Sequence, residues 1–425
     1  MKPATSAVVA LTALNLLNYL DRFVVAGMVE PLKKAFGADD ADIGLLTSVF
    51  LVVYMLASPV FGVLARSVRR TAILGAGVIV WSLATVAAGF AGGFGHLLVS
   101  RAVIGVGEAA YATVGPSILG DWFPPERRST VLAVFYAAIP VGSALGFLVG
   151  GLVSESLGWR AAFWIAGGPG LLLGVWCFRL IEPARGAMDE PSSGPAASAD
   201  PAGEARLAAT PPPATVAQPR RSEALWSLAT NAQWMWCVLG YTAYTFSLGA
   251  LAVWMPAFMQ RERGWSAESA AITFSGIVVV TGFLGTIAGG AVDARAARGR
   301  ASPSLFLCAI TALVAAPLLM IAIGTHDRTT CIVATGVGCF LAFVSQAPIN
   351  AAILNSVGSD ARAFAVGMST FVIHVLGDVP SPWLVGKVSD ATGSLAKGLG
   401  LVPIGFAAAA VIWGVGAFVL RRRPS

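Results

Sequence analysis

Apolar residues in this chain gather into about twelve long runs, at about 6 to 29, 42 to 65, 71 to 93, 96 to 120, 130 to 153, 160 to 181, 226 to 259, 268 to 292, 304 to 324, 330 to 354, 362 to 386 and 396 to 420. A bilayer's hydrocarbon core of about 30 Å takes roughly 20 apolar helical residues to cross. Lipid offers the backbone no hydrogen-bond partners, so each run is expected to be a helix. The pattern predicts an all-α membrane protein with twelve transmembrane helices.

Six runs lie on each side of one polar interruption containing "EPSSGPAASADPAGEARLAATPPPATVAQPRR". That segment is rich in Pro, Ala, Ser and Gly and cannot bury a core. The expected organisation is a six-helix bundle over 1–181, a flexible cytoplasmic linker over 182–224 and a second six-helix bundle over 225–425. The halves echo each other: "GVLARSVRR" (Gly62 to Arg70) and "GGAVDARAARGR" (Gly289 to Arg300) each follow the second run of their half. Two bundles related by a repeat describe a transporter whose substrate sits between the halves near the midplane.

Composition agrees with the pattern. Hydrophobic residues make up 56% of the 425 positions and charged residues 12%, and the mean hydropathy is +0.76, outside the globular range. The net charge of +6 does not point to nucleic acid, because the basic residues sit in short clusters between runs rather than in a stripe with aromatic partners. They act as topology signals and place both termini in the cytoplasm. Asp21 and Arg22 interrupt the first run where the apolar core of a cleavable signal would lie, so it is read as a span. The five cysteines form no CxxC pair or His/Cys cluster, so they are assigned structural roles and no metal is expected.

Charges inside the runs carry the chemistry. An ionised side chain at the centre of a span costs roughly 2.5 to 3.5 kcal/mol, so Asp21, Arg22, Arg101 and Glu108 are expected to face the bundle interior. Asn18, Asp21 and Arg22 at i, i+3 and i+4 share one helix face. Arg101 and Glu108 are two turns apart along another. The first helix runs outward and the fourth inward, which allows Asp21 to meet Arg101 or Arg22 to meet Glu108. Such a set either fixes helix packing as static ion pairs or titrates during transport, since a carboxylate that loses its cationic partner gains affinity for a proton.

The second half has fewer charges. "FVIHVLGDVPSPWLVG" (Phe371 to Gly386) places His374 and Asp378 at i, i+4 and breaks its helix at Pro380 and Pro382. Gln346 and Asn350 in the tenth run and Tyr241 and Tyr244 in the seventh either line a pocket or bond neighbouring helices. Together with Asn18, Tyr111, Tyr136, His374 and Asp378 they form the candidate substrate contacts. "GVGEAA" (Gly105 to Ala110) has the form of a nucleotide fingerprint, but no strand precedes it and it lies within a span. Its small residues let helices approach closely, as do Gly142, Gly146 and Gly150 at i, i+4 and i+8.

These motifs resemble the major facilitator superfamily. Gly62, Leu64, Arg69 and Arg70 follow its loop motif between helices two and three. Arg101, Gly105 and Gly107 match its fourth-helix "RxxxGxG", and Gly142, Gly146, Gly150 and Gly151 match its fifth-helix antiporter-type motif. There are two departures: Ala65 is followed directly by Arg66 where an Asp commonly precedes the first Arg, and Phe147 stands where proline is common. Within the superfamily the chain is similar to a bacterial member of the Spinster family, through "NYLDRFVVAG", "GVGEAAYATVGPSILGDWFPPERRSTVLAVFYAAIPVGSALG" and "HVLGDVPSPWLVG".

The resemblance implies alternating access, with eukaryotic relatives moving lysophospholipids or phosphorylated sphingoid lipids, some of them coupled to protons. It implies that Asp21 and Glu108 are the protonatable acids, Arg22 and Arg101 their partners, and Gly62, Arg69 and Arg70 a gating motif. The expected function is proton-coupled secondary transport of an amphipathic lipid-like or organic anionic substrate, by a monomer in a bacterial inner membrane. A drug or small organic-anion carrier and a non-transporting receptor are the alternatives. No Ser/His/Asp set converges and no nucleotide site is present, so neither enzymatic activity nor a cofactor is expected.

Overall fold

The computed structural model describes residues 3–65, 67–123, 125–184, 188, 221–296, 301–357 and 362–421. Most of the expected linker, residues 185–187 and 189–220, lies outside the described residues, as does Arg66. The first half comprises α1 (Pro3–Gly27), α2 (Asp40–Leu64), α3 (Arg70–Ala88), α4 (Phe94–Trp122), α5 (Pro125–Leu148) and α6 (Trp159–Phe178). The second comprises α7 (Ala232–Arg261), α8 (Ala267–Ala296), α9 (Ala301–Gly324), α10 (Arg328–Val344, continued by Gln346–Leu354), α11 (Arg362–Ile373, then Pro380–Thr392) and α12 (Leu401–Arg421).

Among the described residues, eleven helices are long and apolar enough to cross a membrane. The eleventh apolar run is not among them, and it is the run in which a break was expected at Pro380 and Pro382. A π-turn at His374–Asp378 divides it, just ahead of the prolines at 380 and 382. Proline removes a backbone donor and the wider π-turn absorbs the mismatch, so the helix changes course without ending.

Helix packing follows the small residues. A Cβ at Gly146 would fall 2.5 Å from the carbonyl oxygen of Leu20, while Gly142 faces Leu16 O and Gly150 faces Val24 O. Gly142 and Gly146 on α5 and Gly150 in the π-turn that follows it (Val149–Val153) thus meet three carbonyls on one face of α1. In lipid, where apolar contact brings no gain over solvent, such close approach is what holds helices together. Between the halves, α2 packs on α11 and α5 on α8, two contacts that are equivalent under the repeat.

The start of α2 is fixed by the sequence "GADDADIG". The Asp39 carboxylate accepts the Asp42 N–H at 2.7 Å and Asp42 accepts the Asp39 N–H at 3.3 Å, a capping box. The short helix Val29–Phe36 before it ends on Gly37 at φ 63°, the left-handed value that glycine supplies at no steric cost. Asp40 is thereby held on the first turn of α2, at the end of the bundle opposite Pro3 and Arg421. We refer to this as the distal end.

Candidate functional site

Arg22 and Glu108 form one of the two cross-helix pairings that the spacing allowed. Arg22 Nε donates to Glu108 Oε2 at 2.7 Å, and Glu108 is fully buried. The guanidinium also lies over three aromatic rings, with centroids at 5.1 Å for Tyr19, 5.1 Å for Phe50 and 4.8 Å for Tyr54. Aromatic faces and one carboxylate therefore stand in for water around this cation.

Asp21 is buried beside the pair but is held differently from expectation. Its Oδ2 accepts from the Thr85 hydroxyl of α3 at 2.8 Å, and Arg101 Nη1 donates to its backbone oxygen at 3.4 Å rather than to its carboxylate. Arg101 also lies over the Phe50 ring, 5.0 Å from its centroid. Among the described residues, Asp21 Oδ1, Glu108 Oε1, Arg101 Nε and Nη2 and Asn18 Nδ2 have no hydrogen-bond partner. Buried polar atoms without a partner are costly, and the cluster sets an unpartnered acceptor oxygen on each acid beside unpartnered donors on Arg101 and Asn18.

Between the halves lies a cavity of about 970 Å³, at the upper end of the roughly 300 to 1,000 Å³ usual for small-molecule sites. Its walls are largely aromatic and aliphatic, among them Phe23, Phe147, Leu248, Phe274 and Phe343. Of the candidate contacts, Tyr136, Tyr241, Gln346, Asn350, His374 and Asp378 line it. Asn18, Tyr111 and Tyr244 lie buried behind the wall. Tyr111 donates to Leu11 O at 3.2 Å and Tyr244 to Ala342 O at 2.9 Å, so both hydroxyls tie helices together.

Tyr241 donates to Gln346 Oε1 at 2.8 Å, and Asn350 Nδ2 reaches Gln346 O at 2.8 Å, giving one polar strip on the second half. Tyr19, which the sequence reading passed over, lines the cavity and also stacks under Arg22. It stands between the cavity and the buried charges. Its position three residues before Arg22, on the same helix face, was the available signal.

A second missed group closes the distal end. Asp40 is buried, and its carboxylate accepts from Arg261 at the end of α7 at 2.6 and 2.9 Å, from Ser389 on α11 at 2.5 Å, and from Lys33. Arg261 also bonds Glu30 at 2.6 Å. Asp390 in turn accepts the backbone N–H groups of Asp40 and Ala41 at 2.9 and 2.8 Å. A Cβ at Gly44 would fall 2.5 Å from Pro382 O, so α2 and α11 touch backbone to backbone. The described bonds between the halves all fall in the distal half of the spans, the others being Ser48 to Val379 O, Ser275 to Ala144 O and the Glu268 N–H to Glu155.

Among the described residues, the loop motif bonds the first half and the first residues of the expected linker. Arg70 is buried and bonds Asp121 at the end of α4 at 2.5 Å, Glu182 after α6 at 3.1 Å and the Pro183 carbonyl at 3.2 Å. Arg69 is exposed, 4.0 Å from Glu182. Burial works against the Glu182 carboxylate, but the Arg70 backbone and side-chain donors outweigh it and hold the group below the usual carboxylate range.

Two bundles of six helices around a central cavity define a membrane transporter, and residues 11–382 match the family model of the Major Facilitator Superfamily, to which the chain belongs. Within that superfamily it is a member of the Spinster family. It is 32% identical over 408 residues to "Protein spinster homolog 1" of Xenopus laevis, covering 92% of this chain and 73% of the relative. It is 31% identical over 402 residues to "Sphingosine-1-phosphate transporter SPNS2" of Danio rerio, covering 89% of this chain and 74% of that protein. The fold matches a crystal structure of a bacterial homologue of the human lysosomal transporter Spinster, inward-facing and unoccupied, with a TM-score of 0.82 at 21% identity over 99% of this chain and 98% of the other. The occupied form of that homologue matches with a TM-score of 0.79 at 22% identity.

Proposed function

We propose that this protein carries an amphipathic, lipid-like substrate across a bacterial inner membrane by alternating access, driven by protons that bind at Asp21 and Glu108. The observation that carries the proposal is Tyr19: the same ring walls the central cavity and stacks on the guanidinium that neutralises Glu108. A substrate that moves Tyr19 disturbs the Arg22–Glu108 pair, and a proton on Glu108 releases Arg22 and its stacked rings. Substrate and proton are thereby linked without touching each other.

The mainly apolar walls suit a hydrocarbon tail and the polar strip around Tyr241, Gln346 and Asn350 suits a head group. With both termini in the cytoplasm, the bonded distal end faces outward and the cavity is served from inside. Gly62, Arg69 and Arg70 then sit at the cytoplasmic end, where Arg70 braces the first half as it rocks against the second. A relative, the sphingosine-1-phosphate transporter of Danio rerio, supports a lipid-like substrate.

The test is flux. The full chain reconstituted in liposomes should accumulate a labelled lysolipid at a rate well above protein-free liposomes. Saturable binding without flux would instead identify a receptor.

A further inference from the structure

Asp378 is the one carboxylate that walls the cavity among the described residues, and no lysine or arginine accompanies it there. Its side chain is 20% exposed and that of His374 is 32% exposed, so both reach the cavity. His374 Nδ1 lies 2.9 and 2.8 Å from the two Asp378 oxygens, across the π-turn that brings the pair together. An imidazole that donates its Nδ1–H to a carboxylate presents Nε2 as an acceptor. The pair therefore turns acceptors toward the cavity.

The backbone around this pair is tightly held. A Cβ at Gly249 on α7 would fall 2.7 Å from Asp378 Cβ, and one at Gly377 would fall 2.9 Å from the Thr242 carbonyl. The nearby donors are partly engaged already, Tyr241 on Gln346 and Asn350 on the Gln346 backbone. An anionic group placed against Asp378 would meet like charge and acceptor lone pairs in a largely apolar cavity. An ammonium group would gain a charge-assisted hydrogen bond to the carboxylate and a second acceptor at His374.

We infer that Asp378 and His374 form a subsite for the protonated amine of the amphipathic substrate. Its tail then lies along Phe147, Phe274 and Phe343. The inference rests on reading the cavity as the substrate site, and it fixes the head-group chemistry: the substrate carries a primary or secondary ammonium, alone or within a zwitterion.

The experiment measures saturable binding of labelled dodecylamine, dodecanol and dodecyl phosphate to the full chain in lipid nanodiscs. Dodecylamine should bind at least tenfold tighter than dodecanol, and dodecyl phosphate no tighter than dodecanol. Asp378→Asn should reduce the amine preference below threefold, and saturable dodecanol binding by the variant, at whatever affinity, reports that it is folded. Asp378→Glu should keep the preference. Saturable binding of all three with no amine preference, or with a preference that survives in Asp378→Asn, overturns the subsite and leaves the cavity reading standing. Tighter binding of the phosphate than of the amine does the same. No saturable binding of any of the three overturns the cavity reading and the subsite together. If Asp378→Asn does not fold, Asp378→Ala serves in its place with the same expected and overturning results, and the absence of an amine preference in wild type overturns the subsite without any variant.

Discussion

Arg22 on α1 donates to Glu108 on α4 at 2.7 Å, while the second oxygen of Glu108 has no partner among the described residues. Removing the cation from such a pair leaves a buried carboxylate uncompensated, at roughly 3 to 5 kcal/mol. Arg22→Ala is therefore expected to lower the unfolding midpoint strongly, and adding Glu108→Gln to it should restore most of the loss. A double-mutant cycle by thermal unfolding in detergent checks this, and additive effects of the two changes would remove the pair from the account.

At the distal end, Arg261 joins Glu30 and Asp40 of the first half to α7 of the second. Each charge-assisted bond is worth roughly 1.5 to 3 kcal/mol. Arg261→Gln should shift the equilibrium toward distal opening and raise amide exchange over residues 40–48 and 380–390 by about tenfold or more. Hydrogen–deuterium exchange mass spectrometry gives the answer; unchanged protection there would mean that backbone contact, not the ion pair, holds the closure.

How much of this was legible beforehand varies by feature. The twelve runs and the four intramembrane charges follow from hydropathy and i, i+3, i+4 spacing alone. The choice between the two pairings did not, because it depends on how α1 and α4 are rotated, and Thr85 on α3 takes the place beside Asp21 that the spacing also allowed to Arg101. Nothing local marks Thr85 among the other hydroxyls of its helix. The Asp39 to Asp42 run was readable as a helix start, but Arg261, the partner of Asp40, is 221 residues away from it. Pro380 and Pro382 announced a break in α11, whereas the π-turn lies just before them and aims His374 and Asp378 into the cavity.

Glu182 gives a pH signature. Its carboxylate lies below the ordinary 4.5 of a glutamate because the Arg70 donors outweigh burial. A group whose pKa is depressed by folding contributes stability above its unfolded value, and that contribution is lost as pH falls through the folded value. Wild type should therefore lose stability relative to Glu182→Gln as the pH drops below about 4.5. Parallel thermal melts from pH 7 down to 3 measure the difference, and a constant gap across that range would count against the Arg70 contact.

The glycine ladder between α5 and α1 leaves no room for side chains. A valine at Gly146 would place Cβ 2.5 Å from the Leu20 carbonyl, next to Asp21. Overpacking of this kind costs about 1 to 3 kcal/mol, and it displaces the helix that carries the charges. Gly146→Val is expected to lower the unfolding midpoint by several degrees and to reduce flux by more than the loss of folded protein explains. Flux per folded molecule, normalised by size-exclusion chromatography, is the readout.

The central claim is that protons at Asp21 and Glu108 drive transport. Liposomes containing wild type, Asp21→Asn or Glu108→Gln, with an imposed pH gradient and a labelled lysolipid, test it directly. Gradient-stimulated accumulation in wild type that is lost in both variants, while flux down the lysolipid's own gradient persists, is the predicted result. Full gradient-driven accumulation in both variants would contradict the account.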